Sequence, residues 1–254
     1  MIENTENLYQ LANDLRQNKA VIFTGAGVST NSGIPDFRST DGFYEKYHED
    51  DLAIRTFFKD TDRFYIAFQE RFSSVFHSEP NDTHKILAVM EAEGYIDGII
   101  TQNVDRLHQK AGSKQVIEFH GNIFLYDLIK LSHKSPQTYR ILEENIPYTS
   151  LLNDDQIVYR IDDNTFYKPQ VVLYGEGITK WPESISLAQK NTVHIIIGTS
   201  YLVSPFNLIS YENKNAKVYV INKEPIQYDG PCTQIIGDSS DILKQLQKIL
   251  KGDA

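Results

Sequence analysis

Cysteine is almost missing from this chain: Cys232 stands alone among 254 residues. No intramolecular disulfide can form, and the usage fits a reducing compartment, so a cytoplasmic protein is expected. No apolar run approaches the roughly 18 residues that a membrane-spanning helix needs. The opening residues, Met1-Ile2-Glu3-Asn4-Thr5-Glu6, carry neither the cationic nor the apolar stretch of a secretory leader, and no membrane partner is expected. A basic excess is also lacking. Lys and Arg total 25 against 34 Asp and Glu, a net charge of −9. That argues against sequence-independent binding of nucleic acid, which needs a basic face, and no nucleic-acid partner is expected. It is compatible with basic partners such as lysine-bearing peptides, and equally with acidity that serves only solubility. Repeats and low-complexity tracts are absent. What remains, with 41% apolar and 23% charged residues, has the composition of an ordinary globular protein. Its length suits one large domain, or one with a small insertion.

Short β-rich runs are predicted at 21–24, 96–101, 116–119, 171–174, 194–198, 217–222 and 233–236. Ile99-Ile100, Ile195-Ile196-Ile197 and Val218-Tyr219-Val220 are nearly continuous apolar stretches, which suits strands buried on both faces of a parallel sheet. Helical stripes separate them: Leu8, Leu11, Ala12 and Leu15; then Ile86, Leu87, Met90 and Ala92, with Asn81 or Asp82 as N-cap; and finally Ile242, Leu243, Leu246 and Leu250. The alternation predicts an α/β fold with a doubly wound, Rossmann-like parallel sheet. Residues 43–77 break the rhythm as a helical, aromatic-rich stretch, and 122–168 as a polar, poorly periodic one. Both read as insertions that form a smaller second lobe. The large lobe is expected over about 1–40, 80–121 and 170–254, and the small lobe over about 41–79 and 122–169, within one catalytic domain of 1–254.

The most informative run begins where the first strand ends. Gly25-Ala26-Gly27-Val28-Ser29 is followed by Ser32-Gly33 and by Ile34-Pro35-Asp36-Phe37-Arg38. A strand running into Gly-x-Gly lets the backbone turn tightly and approach a pyrophosphate, which the next helix N-terminus can also hold. Alone the pair is weak evidence, and Thr30 stands where the usual third glycine would be. A proline, a carboxylate, an aromatic plate and a cation just beyond it make the run unusual. A second run, Thr101-Gln102-Asn103-Val104-Asp105, starts at a strand end, where α/β sheets bind ligands. Its amides and carboxylate could hold a ribose or a water, or simply cap a helix through Asn103 or Asp105. His120 closes a third run, Glu118-Phe119-His120-Gly121. A lone histidine is more often structural, but a reference pKa of about 6.5 suits proton transfer near neutrality. Gly198-Thr199-Ser200 and Asn222 sit at later strand ends. Each is either a simple turn or a ligand for ribose and phosphate.

Together with His108, Ala111-Gly112, Lys168-Pro169, Val172 and Tyr174-Gly175-Glu176, these motifs resemble the sirtuins, NAD-dependent protein lysine deacylases. The resemblance runs from Ala20 to Asp238. It implies a Rossmann-type lobe, a smaller lobe of a zinc ribbon and a helical module, and NAD and acyl-lysine bound between them. Carried over by position, it implies a phosphate loop of Gly25, Ala26 and Gly27, with Ala26 and Arg38 on the pyrophosphate side. Asp36 would hold the nicotinamide carboxamide with Ile34 beside it, and Phe37 would shield the ribose. Gln102, Asn103 and Asp105 would bind and order the nicotinamide ribose and water. Gly198, Thr199, Ser200 and Asn222 would take phosphate and adenosine ribose, with Gly237-Asp238 along the adenine end. Val172, Tyr174, Gly175 and Val203 would flank the acyl-lysine, its peptide pairing as a strand. In the implied reaction the bond from nicotinamide to ribose breaks, and the substrate amide oxygen attacks the ribose carbon. His120, with Asn103 and Asp105 as the other catalytic residues, deprotonates a ribose hydroxyl. The products are lysine, nicotinamide and O-acyl-ADP-ribose. A peptide or protein substrate and a monomer are expected.

The chain departs from the family where most members bind zinc through two C-x-x-C pairs. By spacing those positions are Leu128, Leu131, Arg160 and Asp163, and His133 cannot make a site alone. No metal is expected, and Leu128, Ile129, Leu131, Tyr139, Ile141 and Leu142 would form a small apolar core instead. Phe68-Gln69-Glu70-Arg71 lies where members that remove acidic acyl groups carry Tyr-x-x-Arg. Arg71 is either a substrate ligand beside Phe68 or a solvated helix residue. Protein ADP-ribosylation and NAD hydrolysis remain open as alternatives. His120 counts against the first, and the lack of room for a partner domain against the second.

Overall fold

The structure, a computed structural model, describes residues 2–35, 48–132, 135–153 and 156–252. Helix α1 (Ile2–Gln17) leads into β1 (Ala20–Thr24) and a 3₁₀ segment over Ala26–Ser32. Then come α2 (Ile54–Lys59), α3 (Thr61–Phe72), α4 (Asp82–Ala92), β2 (Ile96–Thr101), α5 (Leu107–Ala111) and β3 (Val116–Glu118). A run of strands follows: β4 (Gly121–Ser132), β5 (Ser135–Pro147), β6 (Leu152–Asn153), β7 (Gln156–Ile157), β8 (Arg160–Asp162) and β9 (Thr165–Val171). The last elements are α6 (Trp181–Lys190), β10 (Val193–Ile197), β11 (Lys217–Asn222), β12 (Thr233–Ile236) and α7 (Ser239–Lys251). No helix among the described residues is long and apolar enough to cross a membrane.

The chain divides into two compact units, the first made of Met1–Asp36, Ser78–Phe119 and Thr179–Ala254. Its six-stranded sheet runs β3-β2-β1-β10-β11-β12, with every pairing parallel. Counted within the sheet, this is the strand order of a dinucleotide-binding fold, whose direction of winding reverses between β1 and β10. Strands β1 and β10 are buried at every position, as their unbroken apolar runs predict. Ile22, Ile99 and Ile195 face the stripes Leu8–Leu15 of α1, Leu87 and Met90 of α4, and Leu243 and Leu246 of α7. Each such side chain contributes roughly 1.5–3 kcal/mol on burial. Phe23 takes the opposite face, edge-on to His194, Tyr201 and Phe206. Asn81 caps α4 through the Thr83 N–H, and Asp238 caps α7 through the Ser240 N–H.

The second unit comprises Phe37–His77 and His120–Ile178. Aromatic side chains build its helical part. Phe57 meets Phe64 edge-on at 5.2 Å, Phe64 meets Tyr65 at 5.1 Å, and Phe68 stacks on Phe64 at 5.6 Å. Such pairs add about 0.5–1.5 kcal/mol each beyond their buried area. The sheet of this unit is antiparallel, in the order β5-β4-β9-β8.

Several expectations change in this unit. The strand predicted at 171–174 is not part of the parallel sheet. Strand β9 ends at Val171 and pairs with β4, and Tyr174 forms an isolated parallel bridge to Ala53. An apolar run specifies burial but not which sheet it joins. The segment expected to be irregular, 122–168, instead holds the long β4–β5 hairpin. Register shifts along β4 place Ile123, Tyr126 and Ile129, every third residue, in the interior. A bulged strand of that kind matches neither the period of two nor that of a helix. The apolar core expected there forms differently. Ile129 is buried, Leu128 and Leu131 are half-buried, and Tyr139, Ile141 and Leu142 are 37, 41 and 43% exposed. Ile123, Tyr126, Ile129 and Phe166 fill the interior instead. Arg71 is not a solvated helix residue: it is 6% exposed, with its guanidinium over the Phe72 ring at 5.3 Å.

Candidate active site

The loops after β1, β2 and β10 meet at the carboxyl ends of adjacent strands, where the winding of the sheet reverses. The Gly27 N–H donates to the Gly198 carbonyl at 2.8 Å and the Gln102 N–H to the Thr24 carbonyl at 3.0 Å. The Thr199 hydroxyl donates to the Gln102 side-chain oxygen at 3.0 Å and accepts from the Tyr201 N–H. The glycines have an immediate reason to be glycine. A Cβ on Gly27 would stand 2.7 Å from the Gly198 oxygen, and one on Gly198, at φ +61, would stand 2.6 Å from the Val28 nitrogen. Closeness of loop to loop, rather than of loop to ligand, is what the backbone itself shows. Ala26 begins the 3₁₀ segment, Ile34 is buried, and Ser200 is half-buried at the mouth of the β10 loop. Asp36, Phe37 and Arg38 lie outside the described residues.

Asn103 is fixed at both ends. Its N–H donates to the Thr101 hydroxyl at 3.0 Å, and its side-chain amide donates to the Gly25 carbonyl at 3.1 Å and to Ser29 Oγ at 3.0 Å. Ser29 gives its own proton to Asp105 at 2.7 Å, and the second Asp105 oxygen accepts from the Leu107 N–H at 2.9 Å. The N-cap of α5 is Arg106, not Asp105, but the Asp105 carboxylate one position earlier takes the N–H of the first helical residue and also anchors the serine beside Asn103. Sequence reasoning singled out Asn103 and Asp105 but not Ser29, Thr24, Thr101, His84 or His108, which hold them. Ser29 and His108 stood inside the quoted motifs, and only their contacts mark them.

Burial lowers the His84 imidazole to about 4; burial and then neighbouring His84 push His108 well below its usual range. Burial raises the Asp105 carboxyl against hydrogen bonds from Leu107 and Ser29. A histidine lowered in the folded state stays neutral while the unfolded chain takes up a proton below about pH 6.5. The unfolded state then binds more protons, and stability falls as pH drops. His84 alone withdraws about 2 kcal/mol by pH 5. Asp105, raised when folded, acts in the opposite sense and softens the fall. The urea midpoint is expected to drop between pH 7 and pH 5, and a flat midpoint there would contradict the burial of both rings as neutral groups.

At the far end of the sheet, Asn222 donates to the Glu224 carbonyl at 3.0 Å and accepts from the Gly237 N–H. Asp238 accepts from Asn31 at 3.2 Å and pairs with Lys223 at 3.4 Å. Val203 is 37% exposed in the same unit.

The second unit carries His120, Val172, Tyr174 and Gly175. The His120 carbonyl accepts from the Val172 N–H at 2.9 Å. Gly121 turns at φ +74, and a Cβ there would overlap the Gln170 carbonyl, so the residue after the histidine must be glycine. Glu176 accepts from the Leu173 N–H at 2.9 Å and from Lys168 at 3.2 Å, which ties down the 172–176 loop. The Ile54 N–H donates to the Tyr174 carbonyl at 3.0 Å. Phe68 is fully buried among aromatic rings, three residues before Arg71 along α3.

The positions aligned with zinc ligands do not fit that metal. Leu128 and Leu131 lie on β4; Arg160 pairs with Asp62 at 2.9 Å and covers the Phe166 ring; Asp163 follows β8. Two hydrocarbons and a cation cannot complete a tetrahedral site. His133 lies outside the described residues.

A doubly wound sheet with glycine loops at its switch point defines a Rossmann-type dinucleotide-binding protein. The Sir2 family model matches residues 25–205. An NAD-dependent protein deacetylase of Saccharolobus solfataricus is 36% identical over 234 residues, 91% of this chain and 90% of that protein. A solved structure described as "Structural Basis for the Mechanism and Regulation of Sir2 Enzymes" superposes with a TM-score of 0.81 at 30% identity, covering 97% of this chain and 98% of that one. Another, described as "Sir2-p53 peptide-NAD+", has a TM-score of 0.76 at 28% identity, covering 96% and 98%. This chain belongs to the Sir2 family.

Proposed function

We propose that the chain is an NAD-dependent protein lysine deacylase, chiefly a deacetylase, which passes the acyl group to ADP-ribose and releases nicotinamide. The observation that carries this reading is the convergence of the Gly25–Gly27, Gln102–Asp105 and Gly198–Ser200 loops at the switch point of the sheet. Their backbone N–H groups, amides and hydroxyls have the donor chemistry that a dinucleotide requires, and the deacetylase names of the relatives support the reaction. Bound NAD supplies an activated ribose carbon and a hydroxyl to be deprotonated. Gln102 and Asn103 orient that ribose, Asp105 holds Asn103 through Ser29, and His120 accepts the proton on its imidazole. Asp36 and Phe37 belong to the nicotinamide end of the proposal, and Ala26 and Arg38 to its pyrophosphate. Val172, Tyr174, Gly175 and Val203 flank the acyl-lysine peptide, an assignment supported by the peptide described in the similar structure.

Incubation with NAD and acetylated peptide tests the reaction. O-acetyl-ADP-ribose with free lysine is expected; labelled protein or ADP-ribose alone would replace this reading by ADP-ribosyl transfer or hydrolysis. Across acetyl, crotonyl, butyryl and succinyl peptides, uncharged chains are expected to be preferred. Phe68 brings no hydroxyl to share a carboxylate with Arg71, and a clear succinyl preference would reverse that assignment.

The fold is also proposed to stand without zinc. Tyr159 stacks on Tyr65 at 3.8 Å, the Tyr65 hydroxyl donates to the Tyr167 carbonyl, and Phe76 meets Tyr148 at 4.6 Å and Phe124 at 5.4 Å. These contacts fasten the strands to the helical part where relatives are expected to use metal. A structural zinc is worth roughly 10–16 kcal/mol in metal-dependent domains, so a chelator would normally unfold one. Here melting and activity are expected to be unchanged by chelation. Stoichiometric zinc in the purified protein, or unfolding by chelator, would reveal a site.

A further inference from the structure

Behind Asn103 a polar ring closes through two histidines that the proposed reaction does not use. From the Asn103 side chain it runs to Ser29 Oγ at 3.0 Å and on to His84 Nε2 at 3.5 Å. His84 meets the His108 ring edge-on at 4.8 Å. His108 Nε2 lies 2.9 Å from the Thr24 hydroxyl, which donates to Thr101 Oγ1 at 2.9 Å. Thr101 accepts from the Asn103 backbone N–H at 3.0 Å, which closes the ring. Ser29, His84 and His108 are 1, 0 and 1% exposed. Solvent therefore cannot stand in for a missing member.

Donor counting orients every link. The Asn81 N–H donates to His84 Nδ1 at 3.3 Å, so a neutral His84 carries its proton on Nε2, facing Ser29. Ser29 has one proton and gives it to Asp105. Thr24 gives its proton to Thr101, so His108 also presents Nε2–H, and its Nδ1 is left without a hydrogen-bond partner. Both imidazoles donate into hydroxyls: Ser29 also accepts from the Asn103 amide and passes its own proton to Asp105, and Thr24 donates to Thr101, which accepts from the Asn103 N–H as well. Two helices, α4 and α5, thus hold the side chain and the backbone of one asparagine from opposite sides.

We propose that His84 and His108 are positioning residues that fix Asn103 for the reaction, His84 through Ser29 and His108 through Thr24 and Thr101. The proposal rests on the reading of Asn103 as the residue that orders the ribose. A buried donor pair of this kind narrows the rotamers of the asparagine before substrate arrives, and a displacement of about 1 Å at such a group can cost ~10²-fold in rate.

A double-mutant cycle tests it, with kcat and KM measured for NAD and acetylated peptide on the full chain. His84→Leu is expected to lower kcat about 10- to 100-fold with little change in the KM for peptide. His84→Gln, whose amide N–H can reach Ser29, is expected to recover most of that loss. In an Asn103→Ala background, His84→Leu should cost less than about twofold, because the group it positions is gone. Additive losses, or equal losses in the Leu and Gln variants, would overturn the proposal and leave the reaction assignment intact. Normal turnover in Asn103→Ala alone would instead overturn the reading of Asn103, and the positioning role with it. Should the leucine variant fail to fold, imidazole ¹⁵N spectra of the wild-type protein decide: both rings are expected as neutral Nε2–H tautomers. An Nδ1–H form or a cation at neutral pH in either ring would overturn the proposal.

Discussion

Replacing His120 with alanine is expected to lower the rate of deacylation about 10²–10⁴-fold, the usual contribution of a general base, while NAD still binds. The expectation rests on position as well as on chemistry. The carbonyl of His120 holds the Val172 N–H, and Gly121 turns tightly against Gln170. The imidazole is therefore carried on a backbone fastened to the very loop proposed to flank the acyl-lysine. With a reference pKa of about 6.5, an imidazole is able to take a proton near neutral pH, where no other side chain in that motif can. Binding of NAD, measured by calorimetry, should survive because the proposed phosphate loop, Gly25–Gly27, lies in the other unit. Turnover of acetylated peptide near the wild-type rate would remove His120 from the mechanism. Loss of NAD binding would make the histidine a ligand instead of a base.

Asn103→Ala is expected to reduce kcat by about 10²-fold and to change the KM for NAD far less. An interaction that orders the ribose gains most as the bond to nicotinamide breaks, so its loss appears in the transition state and not in ground-state affinity. The structure adds a reason for the size of the effect. The amide of Asn103 donates to both the Gly25 carbonyl and Ser29, and its N–H to Thr101. Alanine keeps the backbone link and loses only the side chain, so the fold around β2 should persist. A variant with normal kcat, or one that loses NAD affinity and rate in equal measure, would show that Asn103 acts in binding alone or not at all.

Much of this was legible beforehand because it is local. Leu8, Leu11, Ala12 and Leu15 mark α1 by spacing alone, and Ile195-Ile196-Ile197 mark a strand buried on both faces. Asn81, one of the two cap candidates for α4, is its cap. The glycine loop, Gln102-Asn103-Val104-Asp105 and His120-Gly121 could be singled out because each follows a strand, and α/β sheets bind at strand ends. The misreadings were nonlocal. The run at 171–174 looked like one more parallel strand, yet Val171 pairs with Gly121 across an antiparallel ladder. Strand β4 hid from periodicity because its bulges bury every third residue. Of the two readings open for Arg71, the solvated one fails, because the side chain is buried with its guanidinium over the Phe72 ring.

By itself the sequence determined the family and the strand and helix order of the parallel-sheet unit, since those depend on side-chain period, caps and glycines within a few positions of one another. Only the tertiary structure decided which glycines face which loop, that Ser29 stands between Asn103 and Asp105, and that His84 and His108 meet ring to ring behind them. Those contacts join residues from 24 (His84 and His108) to 171 (Gly27 and Gly198) positions apart, and a chain written in one dimension carries no local signal for a hydrogen bond made by folding.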